Sequence, residues 1–237
     1  GHHYLIDCGE GTQTQFRRYK LKMQRIKVVF ISHLHGDHYY GLLGLMNTMH
    51  LLGRTAGLTI VAPAKLKEII EIQLKAGGGF LKYPIKYIQT DEVFTSNVLL
   101  EVYRDQRIVV KAFPLKHRIP CAGFLFSQIE RERSYLPEVG AKYQVPLKAI
   151  SGIKKGQDFV LPNGSVIHNE ELTSPPPVAK SYAYCTDTLP LDSTKKFVKS
   201  CDCLYHEATF MDLDEERSKS TFHSTGGMAA RIAKDSD

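Results

Sequence analysis

The sequence Ser32-His33-Leu34-His35-Gly36-Asp37-His38 contains three histidines and one aspartate within six consecutive positions, 33 to 38. Neutral imidazole and carboxylate are the side chains that suit zinc and neighbouring metals as ligands. A polar loop with solvated histidines is the alternative, but such a loop does not require histidines at alternating positions. The stretch therefore predicts half of a two-metal hydrolase site.

The residues on either side of this stretch predict its place in the fold. Lys27-Val28-Val29-Phe30-Ile31 is an apolar, β-branched run with the length of a buried strand. Downstream, apolar residues recur at helical spacing, at Leu42, Leu43, Leu45, Met46, Met49 and Leu52. The predicted ligands therefore lie on a turn from a strand to a helix, and loops on a rigid sheet are common places for metal sites.

Composition limits the class of protein. The 237 residues are enough for a sizeable core in one domain, and contents of 43% apolar and 24% charged residues are ordinary for a globular protein. No apolar run approaches the roughly 20 residues that span a bilayer, which argues against a membrane protein. The formal net charge of +6 favours a polyanionic partner without proving one.

The cysteines argue against two other kinds of site. Their number is odd, five, and they show no CxxC spacing. A disulfide framework or a thiolate zinc site is therefore not expected. We predict reduced cysteines, most of them in the core.

Four further polar residues stand at the ends of predicted strands or helices. They are His117, Asp187, Glu207 and His223. Taken singly, each has an ordinary structural interpretation, such as a core histidine, a salt bridge or a histidine at a helix end. Their shared placement favours a common site, in which an oxygen of Asp187 could bridge two metals.

Two parts of the chain offer positive charge to a nucleic acid. Six basic residues and no acidic one occur between Thr14 and Ile31, and residues 131–180, punctuated by proline and glycine, predict an excursion from the core that contains several lysines. A solvated surface is the alternative to phosphate contact. The candidate nucleic-acid contacts are Arg17, Arg18, Lys154 and Lys155.

With these residues the chain resembles the metallo-β-lactamase superfamily, through the HxHxDH pattern at positions 33–38 and a later histidine and aspartate. Within the superfamily it resembles the ribonuclease Z family more closely. The segments that carry this resemblance are Asp7–Gln13, Ser32–His38 with Gly41-Leu42, Leu115–Arg118, Asp187-Thr188, His206–Phe210 and His223–Thr225. The resemblance implies an α/β protein, a four-layer αββα sandwich of two mixed sheets with helices outside. It also implies a single domain over residues 1–237, in which residues 131–180 are an excursion corresponding to a shortened substrate-binding arm.

The resemblance also implies a role for each site residue. His33, His35 and His117 hold one zinc ion, Asp37 and His38 hold a second, and Asp187 lies between the two. His223 protonates the leaving 3′ oxygen, Glu207 orients His223, and Asp37 belongs to the catalytic set as well as to the ligands. The family supplies one more ligand histidine after its last helix, whereas this sequence ends at Asp237. We therefore expect the second site to be one ligand short in this sequence and the native protein to extend beyond both ends.

The function implied by the resemblance is a metal-dependent endoribonuclease. It hydrolyses the phosphodiester at the 3′ trailer of precursor tRNA through a metal-bridging hydroxide and leaves a 3′ hydroxyl. The implied setting is cytoplasmic, with a homodimer in which one subunit grips the tRNA that the other cuts. One alternative is another hydrolase of the fold, acting on small phosphodiesters, thioesters or lactones, although it leaves Glu207 and His223 unexplained. The other is a non-catalytic member that binds RNA or protein.

Overall fold

The structure, a computed structural model, describes residues 3–236. Gly1, His2 and Asp237, the ends beyond which we expected further native sequence, lie outside the described residues. The chain divides into two compact units, a larger one that combines Gly1–Phe126 with Ser181–Asp237 and a smaller one, Ser127–Lys180. Residues 131–180, predicted as an excursion, fall within the smaller unit.

The strands and helices follow one another along the whole described chain. The strands are β1 His3–Ile6, β2 Ile26–Phe30, β3 Leu58–Ala62, β4 Ile85–Gln89, β5 Leu100–Arg104, β6 Ile108–Leu115, β7 Cys121–Gln128, β8 Ser134–Tyr135, β9 Phe159–Val160, β10 Val166–Ile167, β11 Thr173–Ser174, β12 Ser181–Cys185 and β13 Cys203–His206. The α-helices are α1 Thr12–Arg18, α2 Gly36–Leu51, α3 Lys65–Ala76, α4 Asp91–Thr95, α5 Pro137–Lys142, α6 Leu147–Lys154, α7 Asn169–Leu172, α8 Asp192–Phe197, α9 Glu215–Thr221 and α10 Gly226–Lys234. Two short 3₁₀ segments, Met23–Arg25 and Asp212–Asp214, complete the described elements.

Two sheets form the larger unit. The first has the strand order β1-β2-β3-β4 and is parallel in all three pairings. The second has the order β13-β12-β7-β6-β5 and contains both a parallel pair, β12 with β13, and an antiparallel pair, β5 with β6. The prediction of mixed sheets therefore holds for the second sheet, whereas the first is parallel because helical crossovers connect β2, β3 and β4.

Three hydrophobic cores separate four layers in this unit. Because successive side chains of a strand point to opposite faces, Val29 packs with the apolar face of α2, and Val28 and Phe30 pack against the second sheet. The Phe30 ring lies 5.4 Å from that of Phe124 on β7. The far face of the second sheet packs against the end of α8 through Val198. This order of helix, sheet, sheet and helix is the predicted αββα sandwich.

The smaller unit has a core of its own. Its central residues are Ile153, Ile167 and Leu172, against which partly buried aromatic and aliphatic side chains pack. The strands of this unit are two residues long and form two antiparallel pairs, β9 with β10 and β8 with β11. Strands this short leave no alternating pattern in the sequence, which is why only an excursion was predicted.

Two predictions from composition can be compared with the structure. All five cysteines are free, and Cys8, Cys121 and Cys185 are buried. Among residues 3–236, no helix combines the length and the hydrophobicity needed to cross a bilayer.

Candidate metal centre and active site

The turn between β2 and α2 carries the first group of candidate ligands. β2 is an inner strand of the parallel sheet, and its carboxyl end leads directly to His33, whose side chain is fully buried. His35 occupies the N-cap position of α2, and Asp37 and His38 lie in the first turn of that helix. The carboxyl ends of parallel strands are the usual places for binding sites in α/β folds.

Close packing of two backbones explains the glycines around this turn. The N–H of Cys8 donates to the carbonyl of His38 at 2.7 Å, and the N–H of Gly41 donates to the carbonyl of Cys8 at 2.9 Å. A Cβ atom on Gly9 would lie 2.1 Å from the carbonyl oxygen of Asp37, and one on Gly41 would lie 1.9 Å from that of Gly9. Only glycine at both positions lets the Cys8–Gly9 turn rest on the start of α2.

His117 and Asp187 reach the same place from the second sheet. His117 follows β6, and Asp187 follows β12. The two loops hydrogen-bond directly, since the N–H of Lys116 donates to Thr188 Oγ1 at 3.0 Å and the N–H of Leu189 donates to the carbonyl of Lys116 at 2.9 Å. This contact joins residues that are about seventy positions apart in sequence, so it brings together side chains that no local motif connects.

Four of the candidate ligands form one compact group. One ligand atom from each of His33, His35, His117 and Asp187 lies within 4.8 Å of all the others. His35 Nδ1 is 3.0 Å from His33 Nε2 and 3.1 Å from His117 Nε2, and Asp187 Oδ2 is 3.8 and 3.7 Å from the same two nitrogens. Zinc–nitrogen bonds of about 2.0–2.1 Å in a tetrahedron place ligand atoms about 3.4 Å apart. The spacing therefore fits a divalent metal ion.

A second, smaller group shares Asp187 with the first. His38 Nε2 lies 3.4 Å from Asp37 Oδ2 and 3.4 Å from Asp187 Oδ2. Asp187 Oδ2 is thus within 4 Å of nitrogens from both groups, and the Asp37 side chain is 72% exposed. The structure thus arranges the six sequence-predicted ligands in two adjoining groups that share Asp187.

Asp7 supports both groups, although the sequence analysis gave this residue no role. It stands directly after β1 with a left-handed backbone, φ 54°. Its Oδ2 accepts hydrogen bonds from His38 Nδ1 at 2.9 Å and from Ser32 Oγ at 2.9 Å, and its Oδ1 accepts from the Ser32 N–H at 2.8 Å. Ser32 Oγ in turn lies 3.0 Å from His33 Nδ1 and can accept its proton.

Hydrogen bonds of this kind fix the tautomer of three histidines. Nδ1–H of His38 is held by Asp7, that of His33 by Ser32, and that of His117 by the carbonyl of Phe222 at 3.0 Å. In each ring Nε2 is therefore the atom that faces the cluster. Metal-ligating histidines in proteins are oriented in this way by a carboxylate, a carbonyl or another acceptor.

The protonation states of the cluster also suit a metal. Burial, together with the nearby His38, lowers the pKa of His33, and burial lowers the pKa of His117, so both rings are neutral at pH 7. Burial raises the pKa of Asp187, but the hydrogen bond and charge of His38 outweigh it, and the net shift is downward. Burial lowers the pKa of His38, but the hydrogen bonds and charges of Asp187 and Asp7 outweigh burial, so that the net shift is upward. A metal ion held at the second group would therefore have to displace a proton from His38.

Glu207 and His223 form a hydrogen-bonded pair beside the cluster. His223 Nδ1 lies 3.0 Å from Glu207 Oε1, and the His223 ring is 5.1 Å from the ring of His117. The Glu207 side chain is buried, and its two oxygens also accept from backbone and hydroxyl donors of Thr188, Thr209 and Ser224. Glu207 is therefore held in place and has its hydrogen-bonding capacity satisfied. Because it contacts His223 through Nδ1, Nε2 of His223 remains available for another partner.

The candidate nucleic-acid contacts lie on the surface of each unit. Arg17 and Arg18 are exposed in the last turn of α1 in the larger unit. In the smaller unit Lys155 is exposed, whereas Lys154 pairs with Glu132 at 3.2 Å. An ion pair within the unit reduces the charge that Lys154 offers to a phosphate.

Comparisons with known proteins show which family the chain resembles. The family model described as anti-Pycsar protein Apyc1 matches residues 1–131, more than half of the chain, which therefore falls within that family. That match ends before Asp187, Glu207 and His223. A curated ribonuclease Z of Parabacteroides distasonis is 44% identical over 97% of this chain and 74% of its own length. One of Bacteroides thetaiotaomicron is 43% identical over 97% of this chain and 72% of its own.

The chain belongs to the ribonuclease Z family. Among solved structures, the human tRNase Z short form has a TM-score of 0.70 and 27% sequence identity, covering 99% of this chain and 78% of the human one. The metallo-β-lactamase fold protein YhfI of Bacillus subtilis has a TM-score of 0.61 at 17% identity, covering 99% of this chain and 71% of its own. Family and fold, both predicted from the sequence, are thereby confirmed.

Proposed function

We propose that this chain is an endoribonuclease that hydrolyses the phosphodiester at the 3′ trailer of precursor tRNA and leaves a 3′ hydroxyl on the tRNA. The observation that carries the proposal is the Glu207–His223 pair, a proton donor with its own acceptor, 5.1 Å from the ring of a candidate metal ligand. Support comes from relatives named ribonuclease Z that match 97% of the chain and from the likeness to human tRNase Z.

The proposed cofactors are two zinc ions. His33, His35 and His117 would hold the first, Asp37 and His38 the second, and Asp187 would lie between them. When bound, two such ions lower the pKa of a shared water and neutralise charge that develops at phosphorus. The four-residue group fits a zinc ion by its spacing and donor set. The second group supplies three ligands from this sequence.

The chain's own residues supply the proton transfer. Cleavage breaks the bond between phosphorus and the 3′ oxygen, and His223 would give that oxygen a proton from Nε2. Glu207 holds Nδ1–H of His223 and thereby fixes the orientation of the ring. Asp37 is assigned to the catalytic set as well, because its exposed carboxylate is open to solvent and substrate.

The proposal extends to binding and assembly. Residues 131–180 would serve as a shortened substrate-binding arm, as part of a single-domain protein, with Lys154 and Lys155 as its phosphate contacts. Arg17 and Arg18 on α1 would contact phosphates from the larger unit. We further propose a homodimer in the cytoplasm, in which one subunit grips the tRNA that the other cuts. The net charge of +6 supports a polyanionic substrate.

A cleavage assay tests the proposed reaction. A precursor tRNA carrying a 3′ trailer is incubated with the zinc-loaded chain, and we expect a tRNA product ending in a 3′ hydroxyl. His35→Ala and Asp37→Ala should abolish cleavage, whereas His50→Ala, a matched change near the far end of α2, should leave it intact. Unchanged cutting by the first two variants would contradict the assignment.

Two further outcomes separate the alternatives. Turnover of small phosphodiesters, thioesters or lactones with intact RNA would indicate another hydrolase of the fold. Elemental analysis after purification should find about two zinc ions per chain, and a metal-free protein that binds RNA without cutting it would indicate a non-catalytic member.

A further inference from the structure

Phe222 has an unusual backbone for its residue type. It is the C-cap residue directly after α9, and its φ of 62° and ψ of 46° lie in the left-handed region. Glycine, and to a lesser extent asparagine, usually occupies this position because a Cβ atom is disfavoured there. A phenylalanine that keeps this conformation indicates that surrounding contacts require it.

The carbonyl of Phe222 holds one of the candidate metal ligands. It accepts the hydrogen bond from His117 Nδ1 at 3.0 Å. This bond leaves the lone pair of His117 on Nε2, which lies 3.1 Å from His35 Nδ1 within the cluster. The direction of the Phe222 carbonyl thus decides which nitrogen of His117 is available to a metal.

The other end of the same peptide unit places the proton donor. The N–H of His223 donates to the carbonyl of Ser218 at 2.9 Å, and the His223 ring donates to Glu207 at 3.0 Å. Because a peptide unit is planar, its carbonyl and its N–H turn together. A change in the backbone at Phe222 would therefore move the acceptor of His117 and the ring of His223 at once.

We propose that Phe222 is a positioning residue whose left-handed backbone couples the metal ligand His117 to the proton donor His223. The roles of these two histidines rest on the proposed function. The competing explanation is packing of the Phe222 ring, which is half-buried and lies 5.9 Å from Lys116 Nζ. The two explanations predict opposite orders for a set of substitutions.

Four substitutions at position 222 separate them. Glycine and asparagine favour the left-handed backbone and lose the ring. Alanine loses the ring and keeps the Cβ atom that phenylalanine already has, whereas valine loses the ring and disfavours that backbone more strongly than the parent because it is β-branched. Zinc affinity is measured by competition with a chromogenic chelator, and Co²⁺ spectra report the ligand set. We expect Phe222→Gly, Phe222→Asn and Phe222→Ala to bind zinc within about threefold of the parent, and Phe222→Val to bind about 10–100-fold more weakly.

The cleavage reaction gives a second readout. With zinc at saturation, kcat of the valine variant should still fall about tenfold or more with KM unchanged, because His223 is displaced. The kcat of the glycine variant should stay near that of the parent. Equal losses in glycine and valine variants, or full affinity in the valine variant, would overturn the coupling. The zinc measurements need no RNA cleavage, so a parent chain that binds zinc but does not cut precursor tRNA refutes the proposed function alone.

Discussion

The change Asp7→Asn isolates the carboxylate that supports both groups of candidate ligands. Asparagine has nearly the same shape as aspartate and tolerates the left-handed backbone that Asp7 adopts, so the fold at this position is kept. What changes is one oxygen, which becomes an NH₂ group that donates. Asp7 accepts through both oxygens, from Ser32 N–H at Oδ1 and from Ser32 Oγ and His38 Nδ1 at Oδ2.

Either orientation of the new amide places a donor against a donor. If the NH₂ replaces Oδ2, it faces Nδ1–H of His38, and the ring loses the acceptor that directs Nε2 at the cluster. If it replaces Oδ1, it faces the Ser32 N–H next to His33, and the negative charge behind His38 is lost. Loss of such a supporting partner costs about 10–100-fold in metal affinity, or about 1.4–2.7 kcal/mol.

The assay is a zinc titration against a competing chelator at pH 7. Asp105→Asn is the matched control, because Asp105 is also a partly buried carboxylate, held by Tyr4 at 2.6 Å and Tyr103 at 3.2 Å, outside the candidate site. We expect a 10–100-fold loss of affinity for Asp7→Asn and a change of less than about twofold for the control. Affinity for Asp7→Asn within about threefold of the parent would refute the supporting role.

Four further predictions concern catalysis, stability and metal binding. Glu207→Gln should lower the single-turnover cleavage rate by about 10²-fold or more at unchanged zinc affinity, because its NH₂ cannot accept the hydrogen bonds that hold His223. Arg54→Met should lower the free energy of unfolding in urea by about 3 kcal/mol, since the buried guanidinium donates to four backbone carbonyls. Arg54→Lys should recover less than half of that loss. Burial raises the pKa of Asp105, but the hydrogen bonds that it accepts, of which the one from Tyr4 has the largest effect, outweigh burial. The folded-state pKa is therefore depressed, so the stability that Asp105→Asn removes should be constant above about pH 4 and shrink as the pH falls below it. Zinc at about 100 times its Kd should raise the unfolding free energy by about 2.7 kcal/mol and Tm by roughly 5–10 °C, and a chelator should reverse the shift in a thermal melt.

The elements around the first ligands could be predicted because their signals are local. The apolar run at Lys27–Ile31 corresponds to β2, Ile26–Phe30, and the helical spacing after it corresponds to α2, Gly36–Leu51. Both signals are periodicities within about a dozen residues, and burial of one stripe or one strand enforces them. The histidines at alternating positions needed only this strand and this helix to be placed.

The supporting residues could not be predicted, because their roles depend on distant contacts. Asp7 meets His38 across 31 positions, and His117 meets the Phe222 carbonyl across 105. Nothing in the residue types near Phe222 indicates its left-handed backbone, since that position usually requires glycine. Asp7 belongs to the segment Asp7–Gln13, which carries part of the family resemblance, but the resemblance assigned it no role. The signal that could have indicated one is its position, a carboxylate at the end of a strand that pairs with β2.

For the smaller unit, the sequence predicted an excursion but not its strands, helices and core. The reason differs from that for the supporting residues. Its helices are short and its strands have two residues each, so no window holds enough turns or alternations to show a period. Its core is nevertheless definite, with Ile153, Ile167 and Leu172 brought together from three segments. The prolines and glycines indicate where the regular pattern of strands and helices stops, but they do not indicate which apolar residues pack together.

The candidate ligands are oriented before any metal arrives. The acceptors for His33, His38 and His117 come from Ser32, Asp7 and the Phe222 carbonyl, and each holds Nδ1–H so that Nε2 faces the cluster. The ends of the strands alone could bring these rings together, but they would not determine which ring nitrogen faces the metal, because either nitrogen can carry the proton. Metal affinity in this fold should therefore depend on the acceptor loops as strongly as on the ligands. Changes at Asp7 or at the Phe222 backbone test that dependence without removing a single ligand.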